Sequence, residues 1–320
     1  MARYSYSRLN GFDQCPKKFL WRYVWNVTPP VEGVEAFVGK RVHESLESLY
    51  AGRIRGEAAP DLQVILEGYS TSWERGWSDA VRIVAAHDAE HYRRIGSECL
   101  ASYYHRHHPF DAGTTVGVEQ GFEFPVDGSG RHQLRGFIDR IDIAPDGAVE
   151  VHDYKTSGRT ATREALEKDL QVGLYELAAR RMFPEHRRVR LVWHYLRAGV
   201  EQRLPARGPA EMAELRRSTA ARIDAIEART ATYETALDAD GRRSLAASRR
   251  ASPSSVPLAA RGAASTFPPR VSPLCRWCSF LNWCPEGSEF AGLPFNPPAP
   301  APAPPPRPGA STPGGQLPLF

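Results

Sequence analysis

Hydrophobic residues recur at helical spacing in four segments of the chain. In residues 37–50, Val42, Leu46 and Leu49 fall on one face, which predicts a helix. The same periodicity predicts further helices within residues 61–107, 162–182 and 210–232. Of these, the segment 162–182 is strongly amphipathic, as expected for a helix that covers a core.

Between residues 114 and 154 apolar and polar positions alternate, which is the period of a strand. This pattern predicts a strand at 116–126 and then a hairpin that turns at Pro145-Asp146-Gly147. Another strand is predicted at 188–196. Residues 239–269 are rich in Ala, Ser, Arg and Pro, which predicts a poorly ordered loop. The chain after residue 296 is almost wholly Pro, Ala and Gly, which predicts an extended tail.

Two acids and a lysine interrupt the apolar face of the predicted hairpin. If the turn centres on Asp146, Asp139 lies opposite Asp153, with their Cβ atoms about 5 Å apart. Lys155 shares the face of Asp153. The opposite face is interpreted as the solvent side, and it carries Arg140, Asp142, Glu150 and His152.

Burying two carboxylates together is costly unless a positive charge compensates them. Mg²⁺ suits such a site, because it prefers a few carboxylates together with water and phosphate oxygens. A bound metal would orient a water and stabilise charge on a scissile phosphate, and Lys155 would assist. The alternative from the hairpin alone is a structural Asp–Lys ion pair at a strand end.

Composition narrows the class of protein only a little. A net charge of +4 over 320 residues says little about nucleic acid unless Arg and Lys gather on one face. The sequence has no run of signal-peptide type and no stretch near the ~18 apolar residues that cross a bilayer. We therefore expect a cytoplasmic protein without a membrane partner, whose five cysteines are metal ligands or core residues.

The hairpin motifs resemble those of the PD-(D/E)XK nuclease superfamily. Residues 136–142 (Gly-Phe-Ile-Asp-Arg-Ile-Asp) and 153–156 (Asp-Tyr-Lys-Thr) carry the likeness. It is closest to the RecB-like branch, which includes the AddB nuclease domain and the nucleases of CRISPR spacer acquisition. The proline that gives the superfamily its name is Ile138 here, at a position that varies within the branch.

Three further motifs of that branch follow the expected order. Residues 39–46 contain His43, residues 171–175 contain Gln171 and Tyr175, and residues 5–19 resemble the N-terminal segment of the branch. The likeness spans residues 5–285.

The resemblance implies an α/β (α+β) fold, a restriction-endonuclease-like core with a central mixed sheet flanked by helices. It implies a nuclease domain at 1–287, with a helical insertion at about 51–110 and a flexible loop at about 239–270, before a disordered tail at 288–320. The implied activity is that of an Mg²⁺- or Mn²⁺-dependent DNA exonuclease that hydrolyses phosphodiester bonds in repair or recombination.

The resemblance also implies the roles of individual residues. The implied metal ligands are His43, Asp139 and Asp153, with the carbonyl of Tyr154 as a further one. The catalytic set comprises these three side chains together with Lys155, Gln171 and Tyr175.

Cys275, Cys278 and Cys284 supply three thiols at short spacing, and Cys15 resembles a fourth. The spacing does not distinguish zinc from a [4Fe–4S] cluster. The resemblance implies a [4Fe–4S] cluster, with Zn²⁺ as the alternative. Its expected role is structural, because it would close a very long loop, although a redox role stays open. Cys99 is interpreted as a core residue.

The last five residues form an apolar cluster behind the Pro-rich tail. Gln316, Leu317, Leu319 and Phe320 resemble the peptide by which bacterial replication and repair proteins bind the polymerase sliding clamp. An extended linker of ~3 Å per residue would let the nuclease range far from the clamp. The alternative is a chance ending on a biased tail.

Two other functions remain open: a catalytically idle scaffold that binds DNA and recruits the clamp, and a CRISPR-adaptation nuclease. The only near-match to a phosphate loop, at residues 39–41, lacks the Ser or Thr that would hold Mg²⁺, so any helicase is a separate protein. His105, His107 and His108 could bind a metal, but we interpret them as a solvated helix end.

Overall fold

The computed structural model describes residues 3–128, 130–237, 253, 256 and 258–295. Eight strands run in chain order: β1 (Arg3–Tyr4), β2 (Glu32–Gly33), β3 (Val81–Arg82), β4 (Thr114–Pro125), β5 (Gln133–Ile143), β6 (Val149–Lys155), β7 (Val189–Tyr195) and β8 (Val200–Pro205). The helices are α1 (Tyr6–Gln14), α2 (Pro16–Phe19), α3 (Val34–Ile54), α4 (Leu62–Gly76), α5 (Ala89–His107), α6 (Arg163–Glu167), α7 (Leu170–Met182), α8 (Pro209–Thr235), α9 (Leu258–Gly262) and α10 (Pro285–Ala291). A π-helical turn at Leu20–Val24 and three short 3₁₀ turns at Ala263–Thr266, Pro273–Trp277 and Leu281–Trp283 complete the described elements.

A six-stranded mixed sheet forms the centre of the fold. Strand β5 pairs with antiparallel β4 along one edge, and with parallel β1 and antiparallel β6 along the other. Beyond β6, β7 is parallel and β8 antiparallel. The predicted α/β architecture, a mixed central sheet flanked by helices, is confirmed.

Helices cover both faces of this sheet and bury two apolar clusters. One cluster contains residues of α7, α8 and the N-terminal helices, among them Leu9, Val172 and Ile223. The other contains α3, α4 and α5, and it reaches the sheet at Tyr154 and Leu196. A helical layer therefore packs on each face of the sheet.

One face of the hairpin that was predicted to face solvent is buried in the structure. Arg140, Asp142, Glu150 and His152 were expected on the solvent side of the hairpin, but each is less than a tenth exposed. The prediction is wrong because the layer of α3 and α5 covers this face, and hydrogen bonds and ion pairs replace water there.

The described helices and strands differ from the predictions in several places. The predicted helix 162–182 is two helices, because the Asp169 side chain accepts a hydrogen bond from the Val172 N–H and starts α7 there. Helix α1 and strand β8 were not predicted. The short helix α9 lies within the predicted loop 239–270, most of which falls outside the described residues, and α10 crosses the predicted boundary at residue 287. Of the helices described, none is long and apolar enough to cross a membrane.

Candidate active site

Asp139 and Asp153 face each other where the hairpin opens. The register pairs Arg140 with His152, so Asp139 lies opposite Asp153 one position further along, as the turn predicted. The pairing of β5 with β6 stops at that point, and the Asp139 carboxylate instead accepts the Tyr154 N–H at 2.9 Å. The two carboxylates therefore stand at the open end of the hairpin.

Lys155 and helix α7 hold Asp153 in place. The Lys155 Nζ lies 2.6 Å from Asp153 Oδ2, and it donates to Gln171 Oε1 at 3.1 Å. Gln171 Nε2 donates to Asp153 Oδ1 at 3.2 Å and to the Tyr175 hydroxyl at 2.9 Å. Gln171 and Tyr175 lie one turn apart on α7, so a single helix face meets the end of β6. The structure thus brings together four side chains that the sequence named.

His43 approaches the same place from α3. Its Nε2 lies 2.9 Å from the Tyr154 carbonyl oxygen, and its Nδ1 lies 3.5 Å from Asp139 Oδ2. The Tyr154 carbonyl, expected as a metal ligand, therefore also faces the site.

Glu119 joins this group and was missed by the sequence analysis. One ligand atom each from His43, Glu119 and Asp139 lie within 4.8 Å of one another. Glu119 has a φ of 42°, and the register of β4 with β5, which pairs Val118 with Arg140 and Gln120 with Ile138, places it opposite Asp139. No sequence signal distinguishes Glu119 from the other polar residues of this strand.

The charges of the site shift the pKa values of its groups. Burial lowers the pKa of His43, but Asp139, Asp153 and the Tyr154 carbonyl outweigh it and raise the value to about 9. Burial, reinforced by Asp139, raises the pKa of Asp153 against the opposing charge of Lys155. The excess of negative charge around His43 is the electrostatic condition that attracts a cation.

The donor set fits a divalent cation. Carboxylates and a carbonyl oxygen are ligands that Mg²⁺ and Mn²⁺ prefer, and an imidazole is acceptable to Mn²⁺. Oδ2 of Asp153 is fully buried and, although close to Lys155 Nζ, makes no hydrogen bond of good geometry. The site therefore presents a carboxylate oxygen whose bonding capacity is not filled.

The four predicted cysteine ligands line one cavity. Cys15, between α1 and α2, meets Cys275, Cys278 and Cys284 around a space of about 140 Å³. Lys17 and Glu286, at 2.7 Å, form an ion pair beside this cavity between α2 and α10. The N- and C-terminal parts of the described chain therefore meet here.

A comparison of the chain with known protein families agrees with the sequence motifs and with the geometry of the site. The family model of the PD-(D/E)XK nuclease superfamily matches residues 3–285. The chain belongs to this superfamily. Its members are nucleases that generally use Mg²⁺ or Mn²⁺, and their restriction-endonuclease-like fold agrees with the sheet described above. Among curated proteins, none matches this PD-(D/E)XK chain.

Gln316, Leu317, Leu319 and Phe320, the residues that resemble a clamp-binding peptide, lie outside the described residues.

Proposed function

We propose that this chain is an Mg²⁺- or Mn²⁺-dependent DNA exonuclease of the RecB-like branch that acts in repair or recombination. The observation that carries the proposal is the meeting of Asp139, Asp153 and Lys155 at the open end of the hairpin, with His43 2.9 Å from the Tyr154 carbonyl. A structural ion pair alone would not require an imidazole and a second carboxylate at the same place.

Each side chain has a role in phosphodiester hydrolysis. His43, Asp139, Asp153 and the Tyr154 carbonyl would hold the metal, and Glu119 is positioned to join them. These ligands would hold a cation that, when bound, would supply Lewis acidity toward the phosphate and toward a water molecule. Lys155 orients the attacking water or neutralises charge on the phosphate, and Gln171 and Tyr175 fix the position of Lys155 and Asp153.

A groove beside α1 and α2 suits a single DNA strand. It encloses about 580 Å³ and is lined by Tyr6, Asn10, Gln14, Lys18 and Arg22. One end of the groove, at Tyr6, lies near Asp153 and Lys155. Burial raises the pKa of Tyr6, and the charges of Lys155 and Asp153 also act on its hydroxyl. Positive charge combined with aromatic rings is the usual chemistry of single-strand binding. We therefore place the path of the substrate strand in this groove.

The cysteine cavity suits a [4Fe–4S] cluster better than a single zinc ion. Four thiolates around zinc, with Zn–S bonds of about 2.3 Å, lie about 3.8 Å from one another. Among the described residues, the groups whose ligand atoms all lie within 4.8 Å of one another include no cysteine. Sulfur atoms that surround a larger space, of about 140 Å³, accommodate a cluster of several atoms. We propose a structural role for this cluster, as a link between the two ends of the domain.

We further propose that the tail ending in Phe320 binds the polymerase sliding clamp, in the cytoplasm, and that any helicase partner is a separate protein. A synthetic peptide of the last residues should compete with a known clamp ligand. Absence of binding at high micromolar peptide concentration would remove the clamp from the proposal without affecting the nuclease.

The decisive experiment compares the anaerobically purified protein with its Asp153→Ala variant. Each is given linear single-stranded, linear duplex and circular DNA with Mg²⁺ or Mn²⁺, end-labelled where an end exists. Degradation of linear DNA by the unaltered protein alone, with circles spared, supports the exonuclease and reveals its polarity. Cutting of circles makes it an endonuclease. Equal inactivity of both proteins, with the cluster intact, would favour the idle scaffold.

A further inference from the structure

A network of buried polar side chains lies on the sheet face opposite α7. Its centre is Arg140, whose guanidinium donates to the hydroxyls of Tyr103 at 2.6 Å and Tyr154 at 2.9 Å and to His152 Nδ1 at 2.8 Å. Arginine has no acceptor and stays protonated in proteins. His152 Nδ1 must therefore carry a lone pair rather than a proton.

The next histidine along the network extends it toward strand β8. His194 Nε2 lies 2.9 Å from His152 Nδ1. His194 is only 2% exposed, and its Nδ1 faces Glu201 Oε2 at 3.4 Å. A buried imidazole nitrogen is therefore directed at a carboxylate oxygen.

His107 supplies a third candidate ligand atom close to those of His194 and Glu201. His107 Nε2 lies 3.8 Å from Glu201 Oε2, and one atom each from His107, His194 and Glu201 lie within 4.8 Å of one another. These separations are longer than hydrogen bonds of about 2.7–3.2 Å. They are near the roughly 3.3 Å that separates the ligands of a tetrahedral zinc ion with bonds of about 2.0 Å.

Contacts with neighbouring residues hold these ligands in place. Arg203 Nε donates to Glu201 Oε1 at 2.7 Å, which leaves Oε2 directed at the histidines. Two of the nearby arginines are themselves in ion pairs, Arg140 with Asp142 at 3.2 Å and Arg203 with Glu150 at 2.6 Å. Supporting contacts of this kind orient metal ligands in proteins.

The site also has room for a fourth ligand. A cavity of about 40 Å³ adjoins the two histidines and Glu201, which is enough for a water molecule. Three protein ligands and a water complete the coordination of zinc.

We propose that His107, His194 and Glu201 form a zinc site that ties the C-terminal end of α5 to strands β7 and β8. Two imidazoles favour Zn²⁺ over Mg²⁺, which prefers oxygen ligands. Burial and nearby arginines lower the pKa of His107 to about 4 and that of His194 well below its ordinary value, so both are neutral at neutral pH. This site lies on the face opposite Gln171 and Tyr175, and it does not depend on the proposed nuclease activity.

The test measures bound zinc in the full chain with its iron–sulfur site loaded. Unaltered protein, a His107→Ala variant and a Glu201→Gln variant are incubated with one molar equivalent of ZnCl₂, gel-filtered, and analysed for zinc and iron by mass spectrometry. His105→Ala is the matched control, because His105 lies on the same helix but is exposed. We expect one zinc ion per chain in the unaltered and His105→Ala proteins. In the other two variants we expect its loss, with zinc affinity lower by on the order of a hundredfold, and unchanged iron.

A thermal unfolding series with and without ZnCl₂ provides the second readout. Zinc should raise the Tm of the unaltered protein and the His105→Ala protein, but not that of the Glu201→Gln protein, which keeps the shape of the side chain. The proposal is overturned if the unaltered chain binds no zinc and gains no stability, in which case the cavity holds water only. It is also overturned if the ligand variants keep as much zinc as the unaltered chain.

Discussion

Lys155 joins the two parts of the proposed catalytic centre. Its ammonium group contacts the Asp153 carboxylate from β6 and the Gln171 side chain from α7. Burial lowers the pKa of Lys155, but Asp153 more than compensates and raises it, so the amine stays protonated. A fixed positive charge at this position can stabilise a phosphate that gains negative charge during hydrolysis.

Substitution Lys155→Met should lower kcat by about 10²–10³-fold, because the charge that acts in the transition state is lost. Lys168→Met is the matched control, since Lys168 is an exposed lysine between α6 and α7. Initial rates on end-labelled DNA, with a Tm for each variant, provide the measurement. Comparable rates for both variants would show that Lys155 serves only as a structural ion pair.

If His43 is a metal ligand as proposed, metal binding should depend on pH. Its pKa of about 9 in the metal-free protein means that the imidazole is protonated at pH 7.5, and a metal must displace that proton. Mn²⁺ affinity should therefore rise by up to about tenfold per pH unit below pH 9. Calorimetry in buffers of different ionisation enthalpy should detect the released proton, and the release should disappear in a His43→Gln variant.

The raised pKa of His43 also affects the stability of the metal-free protein. Because the folded pKa of His43 lies above the unfolded value of about 6.5, its stabilising contribution is complete below pH 6.5. That contribution is lost as the pH rises through about 9.

Helix α7 begins close to the end of β6, so that its first turn contacts Asp153 and Lys155. Its first turn carries Gln171, and the Asp169 side chain caps that turn by accepting the Val172 N–H at 3.1 Å. Thr162 caps α6 in the same way, through the Ala165 N–H, but α6 carries no residue of the site. These two caps provide a natural comparison.

Asp169→Ala should cost about 1 kcal/mol of stability and also lower kcat, because the frayed turn no longer fixes Gln171. Thr162→Ala should cost a similar stability while leaving kcat unchanged. Urea unfolding and initial rates for both variants make the comparison. Equal rates in the two variants would mean that the start of α7 does not position the catalytic centre.

The α1–α2 groove should carry the electrostatic part of DNA binding. Lys18→Glu and Arg22→Glu should each weaken single-strand binding and reduce the slope of log K against log[salt] by about 0.7 or more. Arg217→Glu, on the exposed side of α8, is the control. Fluorescence anisotropy over a salt series measures the slope, and iron content verifies the cluster. An unchanged slope would exclude this groove as the strand path.

At the scale of the whole molecule, the cysteine cavity connects distant parts of the chain. Cys15 follows the first helix, whereas the other three thiols lie more than two hundred residues later. Ligation by all four would close almost the entire domain into one loop, which removes much of the freedom of the unfolded chain.

Cys15→Ser should therefore lose the cluster and a few kcal/mol of stability, a Tm decrease on the order of 10 °C. Cys99→Ser is the control, because Cys99 is buried in the helical layer away from the cavity. Iron and sulfide analysis and thermal unfolding of anaerobic samples measure both effects. Retention of the full iron content in Cys15→Ser would refute this ligand.

Features that depend on residues close together in the chain could be predicted from the sequence. Alternation and the turn at Asp146 placed Asp139 opposite Asp153, because strand geometry and turn position together fix the register. Helical spacing found the main helices, and it placed Gln171 and Tyr175 on one face.

Which surfaces are buried depends on how elements from distant parts of the chain pack together. Alternation shows that Arg140 and His152 share a face, but not that α3 and α5, from earlier in the chain, will bury it. Glu119 meets His43 and Asp139 through the pairing of β4 with β5, and His107 turns inward while His105 does not. Such groups of side chains depend on contacts between residues far apart in sequence, and local periodicity carries no information about those contacts.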